Sequence, residues 1–96
     1  MQVRVRFFGF LRSKFPEGSD EVNVSEGTKL HDLFLSLVDR YGEIFKDYVF
    51  DPAEVEVKKD ILVNINDMPI RRMQGLGTEL NDGDQVDVLP LFAGGG

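Results

Sequence analysis

The chain opens on strict alternation. From Gln2 to Phe8, the residues Val3, Val5 and Phe7 fall on one side and Arg4, Arg6 and Phe8 on the other, the period of two expected of a half-buried strand. A shorter alternation at residues 21–24 follows a stretch broken by Pro16 and Gly18 and reads as a hairpin partner for the first strand. The period then changes. Leu30, Leu33, Phe34, Leu37, Val38 and Tyr41 recur at i, i+3, i+4, i+7, i+8 and i+11, with Thr28 placed to cap the start and Gly42 the end. This spacing predicts one amphipathic helix.

Residues 43–60 are mixed in character, with Pro52 and a charged run at 54–59. They predict an irregular connection with room for a short extra strand, and the part from Lys46 to Lys59 carries no assigned function. The β-branched run from Ile61 to Ile65 predicts an interior strand, and Asn66-Asp67 a turn into Met68 to Ile70. Asn81-Asp82-Gly83-Asp84 is turn chemistry, with Gly83 suited to a positive φ, and leads into the alternating Gln85 to Leu89, whose pairing Pro90 is expected to end. The order is strand, strand, helix, strand, short strand, strand. A single helix with one apolar stripe needs a sheet to cover it, so the expectation is a two-layer α+β domain.

Length and composition narrow the function. Ninety-six residues leave room for one domain, and 42% apolar against 29% charged residues describe a folding chain. No run approaches the roughly 20 apolar residues of a membrane span, and the alternating start is unlike a signal peptide, so a soluble cytoplasmic protein without a membrane role is expected. With no Cys and one His, thiolate metal sites, a Cys nucleophile and a His-based centre are set aside. The expectation is no metal and no catalytic residue. His31, near the start of the helix, reads as a solvent-facing or capping residue. Met68, Met73, Lys58, Lys59, Arg71 and Arg72 read as core, loop or solvated positions.

Eleven basic against 17 acidic residues give a net charge of −6, which argues against nucleic acid as a ligand. The last twenty residues carry Glu79, Asp82, Asp84 and Asp87 and no base, which predicts an acidic surface steering toward a basic partner.

The ending is the unusual feature. Gly94, Gly95 and Gly96 are entropically costly to order and offer no packing, so residues 1–92 are expected to form the domain and 93–96 a flexible tail. Such a thread lacks side chains that would block a narrow channel. The large apolar Leu89, Leu91 and Phe92 stand just before it, where a solvated terminus would ordinarily be polar. They are candidate partner-binding residues.

Several segments together carry a family likeness: residues 3–12 (Val-Arg-Val-Arg-Phe-Phe-Gly-Phe-Leu-Arg), the capped helix from Thr28, the strand at 61–66, the turn at 81–86, and the Pro-Leu-Phe-Ala-Gly-Gly ending at 90–95. Over nearly its full length the chain resembles the small subunit of molybdopterin synthase, the MoaD/ThiS group of ubiquitin-like sulfur carriers, with which archaeal small modifiers are grouped. The resemblance implies a β-grasp fold, a mixed sheet of four to five strands packed on one main helix. First and last strands would run side by side and parallel, bringing Phe8 or Phe10 near Leu89 on a composite docking patch.

It also implies that the terminal glycine carboxylate is adenylated by an E1-like adenylyltransferase using ATP and magnesium, with no cofactor held permanently by the chain. Conversion to a thiocarboxylate would follow, with sulfur delivered to the large subunit of molybdopterin synthase for molybdenum or tungsten cofactor synthesis. The alternatives are a modifier joined to lysines of target proteins, or a carrier for tRNA thiolation or thiamine synthesis. Aligning Ala93-Gly94-Gly95 with the family's usual ending leaves Gly96 over. Either Gly96 is activated as encoded, with one residue of about 3.3–3.6 Å more reach, or it is trimmed first; the expectation is Gly96.

Overall fold

The computed structural model describes residues 1–15 and 18–91. Among the described residues there are seven strands: β1 Gln2–Phe7, β2 Ser19–Asn23, β3 Phe50–Asp51, β4 Glu56–Val57, β5 Ile61–Ile65, β6 Met68–Pro69 and β7 Gln85–Pro90. Two helices, α1 Leu30–Tyr41 and α2 Glu43–Tyr48, lie between β2 and β3. The main sheet has the order β2-β1-β7-β5-β6, and β3 and β4 form a separate hairpin. β1 and β7 run parallel at the centre while every other neighbour is antiparallel. This is the β-grasp arrangement, a mixed five-stranded sheet with one main helix.

The alternation of β1 is reproduced in its burial, with Val3, Val5 and Phe7 at most 2% exposed. They meet Leu30, Leu33, Phe34 and Leu37 of α1 together with Val86 and Val88 of β7 in a single core. Aromatic rings complete it: Phe7 stacks on Phe15 with centroids 4.0 Å apart, and Phe34 meets Phe45 and Phe50 edge-on at 5.3 and 5.4 Å. Burying each such side chain contributes about 1.5–3 kcal/mol, so this layer is the main source of stability.

Four expectations change. The helix cap is Lys29, not Thr28: Lys29 has extended dihedrals and its N–H donates to Asp32 Oδ2 at 3.1 Å, whereas the Thr28 hydroxyl donates to the Ser25 carbonyl. Gly42 ends α1 as expected, at φ +68°, with its N–H donating to the Val38 carbonyl. Residues 43–60 are more ordered than their mixed composition suggests, because Phe45, Val49 and Phe50 are fully buried and pull α2 and β3 onto the core.

Pro90 does not end the pairing. It stands opposite Ile61, and beyond it the Leu91 N–H donates to the Asp60 carbonyl at 2.8 Å. Strand alternation turns the Leu91 N–H toward β5 and the Pro90 nitrogen toward β1, where the Phe8 carbonyl already accepts from the Leu11 N–H, so no bond is lost. The acidic carboxy-terminal surface is the fourth change. Asp84 and Asp87 are only 8% and 4% exposed and are consumed in internal bonds.

Candidate partner-docking face

The helix covers one side of the sheet, and the outward phase of each strand composes the other. From β1 come Arg4 and Arg6, from β7 Asp87 and Leu89, from β5 Leu62 and Asn64. Leu62 is directly opposite Leu89 in the antiparallel register. The parallel register that sets Arg6 beside Asp87 and Phe7 beside Val88 continues to the Phe8 N–H, which donates to the Val88 carbonyl at 3.1 Å. Phe8 therefore comes out beside Leu89, one of the two placements that the family resemblance implies. Leu62 and Leu91 are 37% and 47% exposed, so the region next to the chain's exit from the sheet is apolar and open to solvent.

Phe10 goes elsewhere. It lies in a 3₁₀ turn, Gly9–Ser13, and its ring meets Tyr48 of α2 edge-on at 6.0 Å. Of the two phenylalanines considered for the patch, Phe8 is the one in register with Leu89. Phe92, Gly94, Gly95 and Gly96 lie outside the described residues.

The middle of this face carries a charge pair that the sequence reading missed. Arg6 Nε and Nη2 donate to the two carboxylate oxygens of Asp87 at 2.9 and 3.0 Å, the two-pronged geometry favoured by guanidinium and carboxylate. The Arg6 guanidinium also lies 5.0 Å from the Phe8 ring centroid. The hydrogen bond from Arg6 to Asp87, reinforced by their charges, raises the Arg6 pKa. The available signal was Asp87 standing alone between Val86 and Val88 in a central strand, where a carboxylate needs a partner.

The turn at residues 81–84 behaves as expected and does more. Gly83 has φ +83° and donates its N–H to the Gln2 carbonyl, while Asp82 accepts the Gln2 N–H. Asp84 accepts from Asn66 Nδ2 and from the Asn81 N–H, both at 2.8 Å, tying this turn to the one between β5 and β6. His31 is partly exposed with Nδ1 3.1 Å from Asp32 Oδ1, beside the helix cap. Met68 and Met73 are exposed, at 45% and 39%.

The polar side chains buried among the described residues are Thr78, Asp84 and Asp87. Each is engaged with partners inside the domain. None is left as a free base or nucleophile in a cleft, which is the arrangement a catalytic site needs. No described helix is long and apolar enough to cross a membrane.

A model of the ThiS family matches residues 5–95. The chain belongs to the ThiS family. The match takes in Gly94 and Gly95 and stops short of Gly96. Over 95 residues the chain is 30% identical to small archaeal modifier protein 3 of Haloferax volcanii, covering 99% of this chain and all of that one. The crystal structure of SAMP1 from Haloferax volcanii superposes with a TM-score of 0.81 at 21% identity, covering 99% and 100% of the two chains, and supports the fold. A putative molybdopterin converting factor, subunit 1, from Pyrococcus furiosus gives a TM-score of 0.74 at 26% identity, covering 96% and 99%. Membership makes the chain a small ubiquitin-like protein of the sulfur carrier and modifier class.

Proposed function

We propose that this protein is a sulfur carrier whose C-terminal glycine is adenylated by an E1-like enzyme using ATP and magnesium, converted to a thiocarboxylate, and used as sulfur donor for molybdopterin synthesis. The carrying observation is the family match that runs through the domain and on through the diglycine at residues 94 and 95, just past the exposed Leu91. A carboxylate is a poor electrophile because its charge is delocalised. Attack of that carboxylate on the α-phosphate of ATP expels pyrophosphate and leaves an acyl adenylate. A sulfur nucleophile then displaces AMP. Every catalytic group comes from the partner, and this chain contributes the acyl group, its reach, and an apolar face of Phe8, Leu62, Leu89 and Leu91 for docking.

A mass spectrum of the intact chain after incubation with an E1-like enzyme, ATP, magnesium and a sulfur source tests the reading. The expected result is exchange of one oxygen for sulfur on the last glycine; an unchanged mass with an enzyme active on its own carrier overturns it. The fragment carrying the label also decides between Gly96 and a trimmed Gly95.

The second reading is a protein modifier attached to target lysines, favoured by the likeness to small archaeal modifier protein 3. It shares the acyl adenylate and differs in the final nucleophile. Higher-mass conjugates that vanish when residues 95 and 96 are deleted support the modifier. Loss of cofactor without conjugates supports the carrier.

A further inference from the structure

Continued alternation after β1 would carry Phe8 and Phe10 to the same side of the sheet, because residues two apart share a face. Gly9 breaks that phase. Its φ of +58° opens the 3₁₀ turn Gly9–Ser13, which leaves Phe8 beside Leu89 and swings Phe10 across to Tyr48 of α2. The outward position of Tyr48 has its own cause. Phe45 of α2 and Val49 just after it are fully buried. The stripe one position earlier, Ile44 and Tyr48, is thereby turned away from the core and is 42% and 36% exposed.

Phe10 is 37% exposed and meets Tyr48 edge-on with ring centroids 6.0 Å apart, and the Lys14 amine lies 5.3 Å from the Tyr48 ring centroid. Phe10, Ile44 and Tyr48 stand outside the buried core cluster. Among the described residues Lys14 is in no ion pair. The result is two touching rings, an aliphatic side chain and a free ammonium at the surface.

This patch borders the chain's exit. A Cβ on Gly9 would lie 2.8 Å from Pro90 Cγ, so the residue before Phe10 is packed on the residue before Leu91. From the other direction, the Val49 carbonyl accepts from the Lys58 N–H and the Asp60 carbonyl from the Leu91 N–H, which ties the end of α2 to the same place. Phe8, Leu62 and Leu89 belong to the open face of the sheet, whereas Phe10 and Tyr48 belong to the helix side. The exit has an apolar surface on each flank.

We propose that Phe10, Lys14, Ile44 and Tyr48 form a second contact surface for the partner that activates the glycine end, met there by an apolar side chain on the rings and a carboxylate at Lys14. The inference rests on the reading that an E1-like enzyme takes that end. An enzyme that draws the last residues into its cleft closes around Pro90 and Leu91 and so reaches both flanks. Clustered aromatic side chains carry a large share of interface energy, and the unpaired ammonium selects a carboxylate. Contacts on two flanks also fix the rotation of the domain about its exit, which one apolar face leaves free.

The test uses the full-length chain with labelled isoleucine methyls and the host's E1-like adenylyltransferase, first without ATP. The Ile44 methyl, the exposed one of the set, should broaden or shift on addition of enzyme, more than that of the buried Ile65. With ATP and magnesium added, pyrophosphate exchange reads activation. Lys14→Glu, and separately Phe10→Ala with Tyr48→Ala, should each raise KM about tenfold at little-changed kcat, and Tyr48→Phe should stay near the parent. Each loss should add to that of Leu62→Asp, as independent surfaces require. All these positions are exposed, and Lys14→Glu guards against a ring variant that fails to fold. An Ile44 methyl unmoved by saturating enzyme, or a parent-like KM for Lys14→Glu, overturns the proposal and leaves the activation reading intact. No exchange with the parent chain, from an enzyme active on another carrier, removes that reading and the proposal with it.

Discussion

Arg6 and Asp87 are neighbours in the parallel β1–β7 pair, and their exposure is unequal: the Arg6 side chain is 37% exposed and that of Asp87 only 6%. Losing either partner therefore has different consequences. Asp87→Asn leaves a guanidinium that water still reaches. Arg6→Met leaves a carboxylate buried without its counter-ion, the costlier outcome. The expected result is a larger drop in the urea midpoint for Arg6→Met than for Asp87→Asn, at unchanged slope. Equal drops would mean that Asp87 has found another partner.

Tyr41 gives a pH dependence. Its hydroxyl donates to Asp20 Oδ2 at 2.6 Å, and Arg40 pairs with the same oxygen. Burial first, then the hydrogen bond to Asp20, pushes the Tyr41 pKa from 10.0 up to about 12. The folded state thus holds this proton more tightly than the unfolded state. Its contribution to stability is complete below pH 10 and is lost as pH rises from about 10 to about 12. In an ultraviolet titration, the phenolate step that disappears in Tyr41→Phe should lie near the top of that window. A step at the ordinary tyrosine value refutes the burial argument.

These pairs show what was legible. Alternation in β1 and β7 and the helical spacing of α1 were readable because each element turns one apolar face to the core, and that imposes a period. The segment from Glu43 to Lys59 has no such period: α2 is six residues long and β3 and β4 two each. Their placement comes from tertiary burial of Phe45, Val49 and Phe50. Asp84 and Asp87 looked like surface charge because composition does not reveal a partner 18 or 81 positions away. Of the docking face, Phe8 could be read from phase and Leu89 from its place just before the glycine ending. Leu62 was passed over although it is out of phase with Ile61 and Val63 on an otherwise apolar strand.

Backbone strain offers a stabilising change. Val55, exposed at the tip of the β3–β4 hairpin, has φ +53°, a left-handed conformation that β-branched residues rarely adopt. Glycine has no Cβ penalty there but adds unfolded-state entropy. Val55→Gly should therefore raise stability by about 0.5–1 kcal/mol, the difference between the two effects. Denaturant unfolding measures it, and a loss of stability would show that the Val55 side chain is held by its surroundings.

Gly9 should behave in the opposite way. Its φ is +58°, and a Cβ built there would lie 2.8 Å from Pro90 Cγ. Gly9→Ala should cost about 1–2 kcal/mol from the backbone alone, with a further loss from the clash. Adding Pro90→Ala should recover the second part and leave the first. A double variant no better than Gly9→Ala would remove the contact from the account.

Substitutions on the two faces of the sheet should separate folding from docking. Leu37 is fully buried under the sheet, and Leu37→Ala should cost about 2–5 kcal/mol in stability. Leu62 and Leu91 are open to solvent on the other side, so Leu62→Asp with Leu91→Asp should leave the unfolding midpoint close to that of the parent chain. If this face docks the activating enzyme, the double variant should raise the KM for the chain in an adenylation assay while kcat at saturation changes little, because the reacting glycine is untouched. Deleting residues 94–96 should abolish turnover and leave much of the binding. A Leu62/Leu91 variant that binds and reacts like the parent would move the docking site off this face while leaving the family chemistry at the glycine end unaffected.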